Sequence, residues 1–395
     1  VTLATKKKIL FVSGTRADFG KQKPLIARLK ESSEFDYEIF ATGMHMLSRY
    51  GSTIHEIKKA GFDRVFSFIN QDQAIGPQMD LVLANTIQGL SLYLREFPAD
   101  LIVIHGDRVE ALAGAIVGAL NNVLVAHVEG GELSGTVDEL LRHAVTKLSH
   151  LHFVAHDEAR RRLIQMGETP GSVHVIGSPD IDVMLSDELP ELSAVLGKYD
   201  IAFRDYAILM YHPVTTELDG LADRVDEVVE AALDSEMNFV AIYPNNDAGS
   251  DVILNKLLTL KGHPRFRVIP SMRFEYFLTL LKHARAIVGN SSAGIREAPV
   301  YGVPTVNLGT RQRGRFHHVS IVDLDEHRPT LLSVLRGLPS AFAPSLHFGK
   351  GDSARQFMAL LREPSLWTTP RQKLFRDLAP SMRPGDAASG VVKVA

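Results

Sequence analysis

The chain of 395 residues contains no cysteine. Disulfides, thiolate nucleophiles and Cys-bound zinc or iron–sulfur clusters are thereby excluded. A cysteine-free chain suits a reducing compartment, and a cytoplasmic location is expected. Long apolar runs are also lacking: none reaches the roughly 18–20 residues that a membrane helix needs. The opening VTLATKKKILFVSG has a lysine run, but its apolar stretch is too short for a secretory signal. Nor is there an excess of one charge. Lys plus Arg is 43, Asp plus Glu is 46, and the formal net charge is −3. Nonspecific nucleic-acid binding draws on a basic field that is missing here. An anionic ligand must be held by a local site instead.

What is present is an ordinary globular composition, 45% hydrophobic and 23% charged. At about 150 residues per domain, the length points to two or three domains. Short apolar segments at 9–13, 37–42, 101–105, 123–127, 151–155 and 173–176 read as buried strands. Helical patterns at about 20–30, 54–61, 81–97, 110–120 and 138–147 separate them. The pattern blurs at 179–203, taken as an interdomain crossing. It then restarts, with strands at 207–211, 238–243, 266–269, 286–289 and 305–307. Helices are expected at 221–235, 251–260, 273–283 and 293–301. Such alternation predicts parallel sheets covered on both faces. The expected units are 1–185, 204–365, and a C-terminal helical segment with a mobile tail at 366–395.

Five constellations carry chemistry. GTRADFG at 14–20 follows a strand, where Arg16 is suited to a phosphate or a planar ring. HGDRVE at 105–110 puts Asp107 at a strand end, as a cleft carboxylate or as a helix cap boxed with Glu110. HVEGGELSGT at 127–136 places Glu129 at the next strand end, before two glycines that permit close backbone approach to a ligand. Asp138 and Arg142 follow, four apart on one helix face and able to pair. Asp107, Glu129 and Asp138 thus gather on successive junctions of one sheet, an arrangement that splits carboxyl pKa values into an acid and a base. No zinc motif accompanies them, and the acids are weak evidence for magnesium. YHPVTTE at 211–217 sets His212 at the end of the first strand of the second unit. GNSSAGIREAP at 289–299 opens a helix with Ser291 and Ser292, an anion cradle suited to a diphosphate, with Glu297 placed for ribose hydroxyls. The run RQRGR at 311–315 adds local positive charge. Two facing α/β units with acids on one side and an anion cradle on the other fit an enzyme of nucleotide-activated small molecules, or a module that only binds them.

Taken together, GTRADFG, TGMHM (42–46), HGDR, EGGELSGTVDE (129–139), IGSPDID (176–182), HPVTTE, YPNND (243–247), RFEYF (273–277) and GNSSAGIREAP resemble the hydrolysing UDP-N-acetylglucosamine 2-epimerases of bacterial sialic-acid and capsule synthesis, over nearly their whole length. TRAD, rather than a TRPE-type run, favours the hydrolysing branch. The resemblance implies two facing Rossmann-like domains in a glycosyltransferase-B-like fold. It also implies elimination of UDP from UDP-GlcNAc to 2-acetamidoglucal, then hydration to N-acetylmannosamine. The catalytic residues so implied are Asp107, Glu129, Asp138 and His212. Those implied for UDP or sugar are Arg16, Gly43, His45, Arg108, His212, Asn246, Arg273, Ser291, Ser292 and Glu297. No cofactor or metal is implied, and a homodimer or tetramer is. The alternatives are the same chemistry on a UDP-diacetamido-trideoxyhexose, or a non-hydrolysing epimerase.

Overall fold

In a computed structural model, described for residues 6–71, 78–134, 137–245 and 247–378, strands and helices alternate along two successive units. The first unit carries β1 (Lys7–Ser13), β2 (Phe35–Ala41), β3 (Val65–Ser67), β4 (Leu101–His105), β5 (Leu124–Val128), β6 (Leu151–Val154) and β7 (Val173–Val175). They form one parallel sheet in the order β3-β2-β1-β4-β5-β6-β7. The second unit carries β8 (Ala207–Met210), β9 (Phe239–Ile242), β10 (Phe266–Ile269), β11 (Ile287–Gly289), β12 (Thr305–Leu308) and β13 (Ile321–Leu324). Its parallel order is β10-β9-β8-β11-β12-β13. Both orders reverse direction beside their first strand, which opens a crevice at the carboxyl ends where ligands bind.

Central strands such as LIVIH are buried at every residue because helices cover both faces. In the first unit, Ile9, Phe11 and Val103 pack to one side, and Leu10, Val12 and Ile104 to the other. The second sheet divides likewise, with Ile208 and Ile287 on one side and Leu209 and Val288 on the other.

Several elements differ from the sequence expectation. The first helix begins at Arg16 rather than near Gly20, because the Thr15 hydroxyl caps it by accepting the Asp18 N–H at 3.1 Å. The crossing at 179–203 holds two helices, Pro179–Met184 and Leu192–Tyr199. Strands β3 and β13 were not expected. Both are short, largely solvated edge strands with no continuous apolar run. The helix Ser353–Arg362, inside the expected 204–365 unit, returns to the first sheet. Its Phe357 ring lies 6.4 Å from that of Phe11 and 5.3 Å from that of Phe153. Asp182 in the crossing accepts the Ser353 and Ala354 N–H groups at 2.9 and 2.8 Å, capping that helix. After Pro364–Trp367 the described chain has no further helix up to residue 378. The expected mobile tail lies mostly outside the described residues.

Candidate active site

Between the carboxyl ends of the two sheets runs a cleft of about 300 Å³, lined from both units. From the first come Thr15, Arg16, Lys21 and Arg108; from the second, His212, Ser291, Ser292 and Glu297. Arg16 is already engaged at this edge. Its guanidinium donates to Glu56 at 2.7 Å and to the Ser271 hydroxyl of the second unit. Gly43 has φ +60° and lies just behind the cleft lining, where only a glycine fits. A Cβ there would fall 2.5 Å from Glu110 Oε1 and 2.6 Å from the Gly14 carbonyl, while its neighbour Met44 lines the cleft. His45 does not reach the cleft either. It is fully buried, with Nε2 at 2.9 Å from the Ser13 hydroxyl and Nδ1 at 2.6 Å from that of Thr53. Burial pulls its pKa down to about 4, so it is a neutral strut.

The loop after β4 carries Asp107 and Arg108. Asp107 is not a helix cap: the cap position is Arg108, without a side-chain cap bond, and Glu110 is buried beneath Gly14. Asp107 instead accepts from Arg142 Nη2. The expected Asp138–Arg142 pair is thereby replaced, and Asp138 faces Arg311 of the second unit at 3.6 Å. The two neighbouring acids are driven apart. Burial raises the pKa of Asp107, but Arg142 and then Arg315 outweigh it and hold the group below the usual carboxylate range. Burial, then Asp107, push Asp138 above that range.

Glu129 lies deeper and has an uncommon backbone, φ +63° in a non-glycine residue. Its N–H donates to the Phe153 carbonyl at 2.9 Å, and its own carbonyl accepts Arg142 Nη1 at 2.7 Å. Oε2 is 3.0 Å from His105 Nε2 and 3.6 Å from Lys21 Nζ. Oε1 accepts from the Ser178 hydroxyl and from Arg296 Nη2, the latter at 2.7 Å. Burial opposes its charge, but Arg296, Lys21 and His105 prevail and hold it well below the usual value. Burial by itself would lower the pKa of His105. The Glu129 and Asp18 carboxylates lift it to about 8. The glycines that follow serve packing, not ligand approach: a Cβ on Gly131 would meet the Ala159 carbonyl oxygen at 2.5 Å.

On the facing side, Asn290 clamps the His212 backbone from both sides, its Oδ1 accepting at 2.7 Å and its Nδ2 donating at 2.8 Å. The Asn245 N–H donates to His212 Nδ1 at 3.0 Å. Arg311, the partner of Asp138, also donates to the Asn290 carbonyl at 3.2 Å. Asp138 is thus tied to the His212 end of the cleft. Ser291 caps the helix Ser292–Arg296 through the Ala293 N–H at 3.3 Å. That helix is shorter than expected and ends before a 3-10 turn, Ala298–Tyr301. Glu297 lies at its end, 3.6 Å from Lys21 Nζ. Arg273 stands apart from the cleft lining, its guanidinium 5.4 Å from the centre of the Tyr276 ring. Asn246 lies outside the described residues.

The sequence reading leaves out Lys21, Asp180 and Arg296. Lys21 Nζ sits among Asp180 at 3.1 Å, Glu129 and Glu297. A lysine on the buried face of the first helix, at the fifth residue after Arg16, was the available signal. A different cluster, His156, Glu158 and His347, brings three ligand atoms within 4.8 Å. His156 is a poor metal ligand as it stands. Its Nδ1 accepts the Ala159 N–H at 3.2 Å, which puts the proton on Nε2, facing Glu132 at 3.2 Å.

The comparisons with known proteins agree with this layout. The sequence model of the UDP-N-acetylglucosamine 2-epimerase family matches residues 27–362. The chain is 46% identical to a UDP-N-acetylglucosamine 2-epimerase of Neisseria meningitidis, over 94% of this chain and 99% of that protein. It is 34% identical to a hydrolyzing UDP-N,N'-diacetylbacillosamine 2-epimerase of Legionella pneumophila, over 84% and 88%, and 32% identical to the polysialic acid biosynthesis protein P7 of Escherichia coli, over 84% and 85%. A Methanocaldococcus jannaschii UDP-GlcNAc 2-epimerase, solved with UDP-GlcNAc and UDP, shares the fold with a TM-score of 0.76 at 19% identity, covering 90% of this chain and 99% of that one. The two parallel sheets, the cleft between their carboxyl ends and this degree of identity lead to one conclusion: the chain belongs to the UDP-N-acetylglucosamine 2-epimerase family.

Proposed function

We propose that the protein is a hydrolysing UDP-GlcNAc 2-epimerase, releasing N-acetylmannosamine and UDP. The observation that carries this reading is the tie through Arg311, 3.6 Å from Asp138 and donating to the Asn290 carbonyl at 3.2 Å, which sets two carboxyls of opposite protonation tendency, Asp107 and Asp138, beside the end of the cleft that His212, Ser291 and Ser292 line. Two relatives named as hydrolyzing N,N'-diacetylbacillosamine 2-epimerases, at 34% and 30% identity, support the hydrolysing chemistry, and the relative at 46% identity named for UDP-N-acetylglucosamine supports the sugar. The diphosphate sits at Ser291 and Ser292, where free N–H groups meet its charge. His212 donates to it, and Arg16, Arg108 and Glu297 border the nucleotide.

In the first step a carboxylate, Asp107 or Glu129, takes the C2 proton. The C–H electrons form the C1–C2 double bond, and the C1–O bond breaks with its pair leaving on UDP. In the second step water adds its oxygen to C1 and loses a proton, while C2 receives a proton on the opposite face. Asp138, biased toward its protonated form, is the acid for that step. Elimination and hydration leave no net redox change, so the scheme needs no redox cofactor. The enzyme acts as a homo-oligomer in the cytoplasm. Among the described residues, no helix is long and apolar enough to cross a membrane.

The test is incubation with UDP-GlcNAc in deuterated water. Free N-acetylmannosamine carrying deuterium at C2, with UDP, is the expected result. Accumulated UDP-N-acetylmannosamine would identify a non-hydrolysing enzyme instead. Turnover of only a UDP-diacetamido-trideoxyhexose would move the assignment to that sugar.

A further inference from the structure

Arg296 belongs to the short helix whose start holds Ser291 and Ser292, yet its guanidinium points into the first unit. It is buried, with 4% of its side chain exposed, as is Glu129. One amino group, Nη2, donates to Glu129 Oε1 at 2.7 Å and to the Ser178 hydroxyl at 2.9 Å. The other, Nη1, faces Glu132 at 3.4 Å, and the guanidinium carbon lies 4.6 Å from the centre of the Phe348 ring. The fork therefore spans two carboxylates and rests on an aromatic face, which a lysine cannot reproduce.

Its effect on Glu129 is to separate the two oxygens. Oε1 is consumed by Arg296 and Ser178. Oε2 is left toward His105 and Lys21, the latter a residue of the cleft wall. The other charged groups around Glu129 are Glu132, Asp180, Glu297, Asp18 beyond His105, and Arg142 on its carbonyl.

We propose that Arg296 is a positioning residue: fixed to the nucleotide-binding helix, it orients the Glu129 carboxylate so that Oε2 is its working oxygen. This rests on the catalytic role proposed above for Glu129. Removing Arg296 takes away the largest favourable charge beside Glu129, whose pKa then rises. A reaction that needs ionised Glu129 loses rate at the acid side first, so the acidic limb moves to higher pH.

The experiment compares wild type, Arg296→Met, Arg296→Lys and Ser178→Ala with UDP-GlcNAc across pH 3 to 9, so that the acidic limb of a depressed carboxylate falls inside the range, together with UDP binding by calorimetry. Expected for Arg296→Met are a fall in kcat of about 30-fold, KM and UDP affinity within about threefold, and an acidic limb shifted upward by about one pH unit. Arg296→Lys restores the limb but only part of kcat. Ser178→Ala, which removes a neutral partner of the same oxygen, lowers kcat about threefold and remains the readout if Arg296→Met does not fold. An unmoved limb with kcat within twofold of wild type overturns the proposal. So does a loss confined to KM and UDP affinity, which would make Arg296 a nucleotide-binding residue. Wild type that releases no product from UDP-GlcNAc overturns the functional reading and this role with it. An active wild type with an insensitive Arg296→Met overturns this role alone.

Discussion

The N–H of Asn245 donates to Nδ1 of His212, 3.0 Å away, and so decides which ring nitrogen carries the proton. With Nδ1 accepting, the hydrogen resides on Nε2. Burial, then Arg311, lower the pKa of His212 to about 3, so the ring is neutral at physiological pH. It is a fixed hydrogen-bond donor in the cleft, not a charged acid.

His212→Ala removes that donor and should lower kcat about 100-fold, the order seen when one preorganised donor is lost. His212→Gln, which keeps an N–H, should recover part of the loss. Because the ring stays neutral, the wild-type pH–rate profile between pH 5 and 9 should show no limb that His212→Gln abolishes. A limb that disappears in this variant would mean that the imidazolium takes part.

A second prediction concerns the split acids. Asp107 is held below the ordinary carboxylate range and Asp138 above it. Raising the pH through the Asp138 pKa therefore removes the acid while Asp107 is already ionised. Asp138→Asn should lower kcat and flatten the basic limb of the profile. Asp107→Asn should abolish turnover while UDP affinity stays within about threefold, since Asp107 faces Arg142 rather than the serine-capped helix. Circular dichroism would separate this from unfolding, and a loss of UDP binding in a folded Asp107→Asn protein would sink its catalytic role.

How much of this was legible in the sequence follows from where each signal lies. Buried central strands announce themselves as apolar runs, and LIVIH or the glycine-ended β11 were read nearly to the residue. Edge strands such as β13, whose IVDL is half solvated, carry no such run. The site splits the same way. His212, Ser291, Ser292, Arg16 and Arg108 stand at strand ends or helix starts, Glu297 at the end of the short helix, and all six line the cleft. His45 and Arg273 came from other motifs of the same resemblance, TGMHM and RFEYF, but a motif does not say which way a side chain turns; one is locked between two hydroxyls and the other lies over Tyr276. Arg142 was read as a helix-surface partner of Asp138. Its choice of Asp107 is set by the packing of two loops, which spacing along one helix cannot reveal. Arg296 sits beside a residue singled out for ribose, yet its partners are more than a hundred positions away in the chain.

A third prediction tests the anion cradle. Ser291→Ala removes the hydroxyl that accepts the Ala293 N–H and caps the helix. Losing such a cap costs about 1 kcal/mol, and the hydroxyl is also lost to the ligand. UDP affinity by calorimetry should fall about 10-fold with kcat changed much less. An unchanged affinity would place the diphosphate elsewhere.

The last prediction addresses what holds the cradle in place. Gly289, directly before Asn290, has φ +130°, and an added Cβ would lie 2.0 Å from the Met210 carbonyl oxygen and 2.5 Å from its carbon. Those atoms are backbone of the adjacent strand β8, which continues into His212. A flexible side chain would swing aside; a central strand cannot without moving the His212 and Asn290 clamp. Gly289→Ala should therefore combine left-handed backbone strain with a main-chain clash, costing about 3 kcal/mol. For a unit of this size the thermal midpoint would fall by roughly 6–12 °C. Both His212 and Ser291 flank the disturbed step, so protein that still folds should lose UDP affinity and turnover together. Gly337→Ala is the control. That glycine ends a helix far from the cleft, and a Cβ there has no atom nearer than 3.6 Å. It should shift the midpoint little and leave UDP binding alone. Equal behaviour of the two variants would show that the close approach of β8 and β11 does not govern the site.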